Sequence, residues 1–147
     1  MEPRKILVAV NLEASTQDPF SRLECFPIPK SAVIQLVHVV QESIVVTGLQ
    51  LQAMVLPTEE DRVRLEAQIR TNLCHLRKVA LADYPHVTEK IIYGTNTKVT
   101  FTDYAVSERA DLLIVATRNR QGIKALFDSS FAQHQVRHSP VSVLVLR

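Results

Sequence analysis

The sequence predicts an α/β domain: a doubly wound, five-stranded parallel sheet with helices on both faces. Strand-like runs occur at residues 6–10, 32–40, 87–94, 112–116 and 141–146 of the 147-residue chain. Most are nearly continuous in Val, Ile and Leu and do not alternate with polar residues, the pattern of strands covered on both faces. Helical patterns lie between several of them, and a β-α-β alternation with right-handed crossovers winds into such a sheet.

The first strand, Ile6-Leu7-Val8-Ala9-Val10, leads into a short crossover in which Pro19, Pro27 and Pro29 confine any helix to about residues 20–25. The connection from Gln41 to Pro57 carries Ile44, Val45, Val46, Leu49, Leu51 and Met54, apolar content unusual for a solvated loop. Two readings stay open for it: a fold back onto the core, in part as a short helix, or a lid or partner-binding surface. After Pro57 the signals sharpen. Thr58 is an N-cap, Asp61 completes a capping box, and Leu65, Ile69, Leu73, Leu76 and Ala80 mark one apolar face. Gly94 releases the third strand into a helix of about residues 98–109, capped by Thr95, Asn96 or Thr97, with Val99, Tyr104 and Ala105 available to the core. A last helix of about residues 129–138 stops before Pro140, which has no amide to continue it.

Composition narrows the function classes. One domain over residues 1–147 is expected, long enough to bury roughly two-thirds of its unfolded surface. Hydrophobic residues are 46% and charged residues 22%, ordinary values for a globular protein. The net charge of +2 comes from 17 basic and 15 acidic residues mixed along the chain, so no field for nucleic acid arises. No secretory signal follows Met1-Glu2-Pro3-Arg4-Lys5, and no apolar run approaches the roughly 20 residues that span a bilayer, so no membrane role is expected. Cys25 and Cys74 lack Cys-x-x-Cys spacing and an evident activator; they read as reduced, buried bystanders in a cytoplasmic protein.

In an open α/β sheet, ligands sit at strand carboxyl ends where the strand order reverses, because two adjacent loops diverge there. If strands one and four are neighbours, that crevice lies between Ala9-Val10-Asn11 and residues 116–120. Unpaired amides at a turn or helix start bind phosphate there when no Cβ blocks the approach.

The chain resembles the universal stress protein family over essentially its whole length. The resemblance rests on Lys5-Ile6-Leu7-Val8-Ala9-Val10, Leu36-Val37-His38-Val39-Val40, Gly94, Ala110-Asp111-Leu112-Leu113-Ile114-Val115 and His138-Ser139-Pro140-Val141-Ser142-Val143-Leu144-Val145. In the family's ATP-binding members, as the resemblance implies, an aspartate after strand one lies near the metal and phosphates. A backbone group of strand two meets adenine, and a Gly-x2-Gly-x9-Gly-(Ser/Thr) segment wraps the triphosphate. The matched positions here are Asn11 beside Val10, Val39, and Ala116, Arg118, Asn119, Ser129 and Ser130.

This chain departs from that pattern at the positions that matter for a polyphosphate. Asn11 has no negative charge for magnesium, which favours anionic oxygen. Asn119 tolerates positive φ at modest cost, but Ala116 and Ser129 put a Cβ or hydroxymethyl where close backbone approach is wanted. Only the final hydroxyl, Ser130, keeps the pattern. Tight ATP binding and a resident cofactor are therefore not expected, and the family's branch with a degraded glycine motif is the nearer match. Against this, Arg118, Arg120 and Lys124 surround the turn and offer charge-assisted bonds to phosphate, so weak ATP binding is the alternative; their other reading is a solvated surface loop.

Other constellations explain less. His134 and His138 lie four apart with no third metal ligand at a defined spacing. His38 sits inside an apolar strand, the setting of a satisfied core or sheet-end histidine. Ser129 and Ser130 lack a Gly-x-Ser-x-Gly elbow and read as helix caps, not nucleophiles. The terminal run Val141-Ser142-Val143-Leu144-Val145-Leu146 is apolar on both faces, and as an edge strand it invites pairing. The resemblance implies antiparallel pairing of last strands about a two-fold axis, so an isologous homodimer is expected.

The functional reading is a homodimeric, cytoplasmic stress-response or regulatory protein without catalytic turnover, acting through a protein partner or as a weak nucleotide or anion sensor. Its rivals are an ATP-binding member with slow hydrolysis and a regulatory module of the kind appended to transporters or kinases. The start of the chain just before strand one and its finish just after strand five favour a self-standing protein over the last.

Overall fold

The computed structural model describes residues 4–10, 23, 25–42, 58–116 and 130–146, with Ser130 described in its backbone alone. Five strands, β1 (Lys5–Ala9), β2 (Val33–Gln41), β3 (Val87–Gly94), β4 (Leu112–Ala116) and β5 (Ser142–Leu146), form one parallel sheet in the order β3-β2-β1-β4-β5. Among the described residues three helices cover it: α1 (Glu59–Ala80), α2 (Thr97–Ser107) and α3 (Ser130–His138). The expected fold class is the observed one, and strands β1 and β4 are the neighbours at which the order reverses.

The apolar runs translate directly into two-sided burial. Ile6, Leu7 and Val8 are consecutive and each is 0% exposed, which only a strand covered on both faces allows. Ile6, Val8, Ile34 and Leu36 pack with Ile69, Leu73 and Leu76 of α1 on one face. Leu7, Val37 and Leu113 pack with Phe101 and Ala105 of α2 on the other, and Phe131 of α3 joins them with its ring centroid 5.5 Å from that of Phe101. Burial of this kind contributes about 1.5–3 kcal/mol per large side chain before the opposing entropy is counted.

Helix α1 begins as the sequence predicts. The Thr58 hydroxyl accepts the Asp61 amide at 3.2 Å, and the Asp61 carboxylate accepts the Thr58 amide at 3.1 Å. Glu59, Glu60 and Asp61 in its first turn and Arg77 and Lys78 in its last complement the helix dipole. Its expected apolar face is corrected at one end: Leu65 is 42% exposed. Glu66 is already hydrogen-bonded to Tyr93, next to the last residue of β3, so the helix's first turns overhang the end of the sheet.

Helix α2 is capped by Asn96, whose side-chain oxygen accepts the amides of Lys98 and Val99 at 3.1 and 3.3 Å. Val99, expected in the core, is 42% exposed, while Phe101 is fully buried. Helical residues two positions apart point about 200° away from each other, so only one of Val99 and Phe101 can face the sheet. The helix ends at Ser107, ahead of the expected 109, in a left-handed turn at Arg109 (φ 53°) that lets the Ala110 amide reach the Ala105 carbonyl at 3.0 Å. Gln135 of α3 is 0% exposed and joins the two helices: its amide donates to the Lys98 carbonyl and its oxygen accepts from Thr102, each at 2.9 Å. Cys74 is half-buried, but Cys25 is exposed, contrary to expectation; nearby Leu23 takes the core position instead. Leu23 and Cys25 aside, the expected first helix and the apolar 43–57 connection lie outside the described residues.

Candidate functional site

The register of the sheet makes the crevice. Strand β1 pairs with β4 through Ile6↔Leu112, Leu7↔Leu113 and Val8↔Ile114, and there the pairing stops. Each strand then stays with its other neighbour: β1 reaches Ala9↔Val37 with β2, and β4 reaches Ala116↔Leu146 with β5. The two carboxyl ends thus separate, and β2 runs on past them to Gln41, held on its far side by β3. This is the place where an open α/β sheet holds a ligand.

Three of the predicted site residues stand on that rim. Val10 is buried and its amide donates to the Val37 carbonyl at 2.9 Å, the last bond between β1 and β2. Val39 is half-buried and pairs with Ile92 of β3; Ala116 is half-buried at the end of β4. Their side chains do not converge. Val10 and Ala116 pack toward the α1 side of the sheet and Val39 toward the α2 side, so what they share is backbone at one edge. Asn11, Arg118, Asn119 and Ser129, with Arg120 and Lys124, lie outside the described residues, and Ser130 is the first residue of α3.

One contributor has more weight than its position in an apolar strand suggests. The Nδ1 of His38 lies 2.8 Å from the Val10 carbonyl oxygen. A carbonyl only accepts, so Nδ1 carries the proton and the ring is fixed in that tautomer when neutral. The signal for this residue is the one polar side chain in Leu36-Val37-His38-Val39-Val40, and its reading as a satisfied sheet-end histidine agrees with the bond.

The groups with shifted proton affinity lie elsewhere. The Asp111 carboxyl is held below its ordinary range by the backbone amides of Lys5 and Arg4, at the opposite end of the sheet. Burial, then the Glu66 carboxylate, pushes the Tyr93 phenol up, and burial does the same for Tyr104, which donates to Gln35 at 2.7 Å. His134 is pushed down by burial and by the charges of His138 and Lys98; the two histidine rings lie tilted at 40° with centroids 4.6 Å apart. Among the described residues no group of three or more His, Cys, Asp or Glu side chains is placed to hold a metal ion. No described helix is long and apolar enough to cross a membrane.

Residues 2–147 of the chain match the family model of the universal stress protein family. The chain belongs to the universal stress protein family. Solved structures agree on the fold. The chain is similar to the universal stress protein UspA from Lactobacillus plantarum, at 21% identity and a TM-score of 0.69, covering 100% of this chain and 99% of that one. It is similar to a universal stress protein in complex with cAMP, at 16% identity and a TM-score of 0.68 over 100% and 98% of the two chains. A universal stress protein family protein from Arabidopsis thaliana with AMP bound shares 20% identity and a TM-score of 0.52, over 97% and 90%. A search of curated proteins finds no match.

Proposed function

We propose that this universal stress protein is a non-catalytic, homodimeric regulatory protein whose crevice keeps the adenosine end of a nucleotide site and has lost its hold on a polyphosphate tail. The observation that carries this reading is the parting of β1 and β4 after Val8 and Ile114, with backbone of Val10 and Val39 at one lip and Ala116 at the other. Family members of the same fold have been solved with cAMP and with AMP. The half of the site that would take adenine and ribose is made of strand backbone, which side-chain replacement leaves in place. The half that would take the β- and γ-phosphates depends on glycines, and Ala116, Asn119 and Ser129 stand there with Asn11 in place of a carboxylate. Each amide hydrogen bond that a phosphate forgoes costs about 1.5–3 kcal/mol, against which charge-assisted bonds from Arg118, Arg120 and Lys124 would have to be set.

Titration calorimetry tests this. The expected result is AMP and Mg-ATP binding within about threefold of each other, neither at micromolar strength; micromolar Mg-ATP binding, tighter than AMP by tenfold or more, overturns the reading in favour of an ATP-binding member. The homodimer rests on β5, an edge strand whose Val143, Leu144 and Val145 are half-buried. Light scattering at micromolar concentration is expected to give twice the chain mass of 16.6 kDa, and a monomer alone contradicts it. A protein partner and a cytoplasmic setting complete the proposal.

A further inference from the structure

We infer that His38 is a positioning residue of the nucleotide crevice, holding the Val10 carbonyl at the end of β1 beside the Val39 backbone; the inference rests on the reading of the crevice given above. The Val10 carbonyl is the first group of β1 beyond both of its ladders. Pairing with β4 has stopped at Val8↔Ile114, and the last backbone bond to β2 is made by the Val10 amide. A buried residue whose carbonyl has left the ladder needs another donor or a water. That donor is the His38 imidazole, at 2.8 Å and 28 residues away in sequence.

The bond ties together two strand ends that the ligand site needs in register. His38 is directly followed by Val39, so one ring sets the separation of the Val10 carbonyl and the Val39 backbone. A preorganised strand end costs a ligand nothing to order, whereas a loose one must be immobilised on binding. An asparagine at position 38 carries a nitrogen two bonds from Cβ, as Nδ1 of histidine is, and preserves the donor; a phenylalanine preserves the ring and removes it.

The test is AMP titration of the unaltered protein, His38→Asn and His38→Phe, alongside thermal midpoints and amide hydrogen exchange at Val39. The expected result is AMP affinity at least tenfold weaker in His38→Phe and within threefold of the unaltered protein in His38→Asn. AMP should slow exchange of the Val39 amide in the unaltered protein and in His38→Asn, but not in His38→Phe. If His38→Phe fails to fold, His38→Leu takes its place in the same series. Affinity and exchange in the donor-free variant equal to those of the unaltered protein overturn the role of His38 while leaving the crevice intact. An unaltered protein that takes no AMP overturns the reading of the crevice, and this inference with it.

Discussion

At the amino end of the β1–β4 seam, polar groups close the gap; at the carboxyl end the same two strands part. The Asp111 carboxylate accepts the amides of Arg4 and Lys5 at 2.9 and 2.8 Å, the Asp111 amide returns a bond to the Lys5 carbonyl at 2.9 Å, and the Lys5 ammonium pairs with Glu108. Past Val8 and Ile114 no such clamp joins the strands among the described residues, and the side-chain bond found there, from His38 to Val10, holds β1 to β2 and not to β4. The contrast separates stability from binding within a single pair of strands. Substitutions at the closed end, or where helices meet the sheet, should move the unfolding midpoint; those at the open end should move ligand affinity.

The largest expected effect tests how tightly the sheet's carboxyl edge is covered away from the seam. A Cβ built on Gly94, the last residue of β3, falls 2.0 Å from the Thr100 hydroxyl oxygen and 2.8 Å from the Thr100 Cβ. Rotating the threonine does not clear its own Cβ, so Gly94→Ala should destabilise by about 1–3 kcal/mol in urea unfolding, with partial recovery on adding Thr100→Ala. An unchanged midpoint would mean that α2 does not rest on β3 there.

The closed end is broken by acid. Asp111 has a folded-state pKa below the ordinary value of 3.8, so it binds fewer protons folded than unfolded. Its contribution is present above that value and is lost as pH falls through the lower, folded one. Thermal midpoints measured from pH 5 to pH 2 should therefore fall less steeply in Asp111→Asn than in the unaltered protein, and parallel curves would contradict the clamp. The smallest effect has the opposite sign. Arg109 is strained by its left-handed φ of 53° at the end of α2; Arg109→Gly should raise stability by up to about 1 kcal/mol, and a loss would mean that its side chain contributes more than its backbone costs.

Much of this fold was legible because burial on two faces leaves unbroken apolar runs, as in Ile6-Leu7-Val8, and because Thr58 and Asp61 cap a helix through contacts local in sequence. Leu65 and Val99 misled for a shared reason. Each belongs to an apolar pattern, but the place where a helix overhangs the sheet, and which of Val99 and Phe101 turns inward, follow from the docking of the helix and not from its own sequence. The bond between His38 and Val10 was hidden for the same reason: it exists only because Ala9 is in register with Val37. At the candidate site the rim residues Val10, Val39 and Ala116 were legible from the crossover rule, whereas their pointing to different faces was not, since that depends on the register of the three strands.

On the reading proposed here, side-chain atoms where the family's motif has glycine, with no charge at residue 11, keep a triphosphate from this crevice while sparing a mononucleotide. Replacing all four in one variant, Asn11→Asp with Ala116→Gly, Asn119→Gly and Ser129→Gly, and comparing its Mg-ATP and AMP affinities with those of the unaltered protein tests it most directly. The expected result is at least a tenfold gain for Mg-ATP and less than a threefold change for AMP. An unchanged Mg-ATP affinity in a folded variant, or an equal gain for both nucleotides, would contradict it.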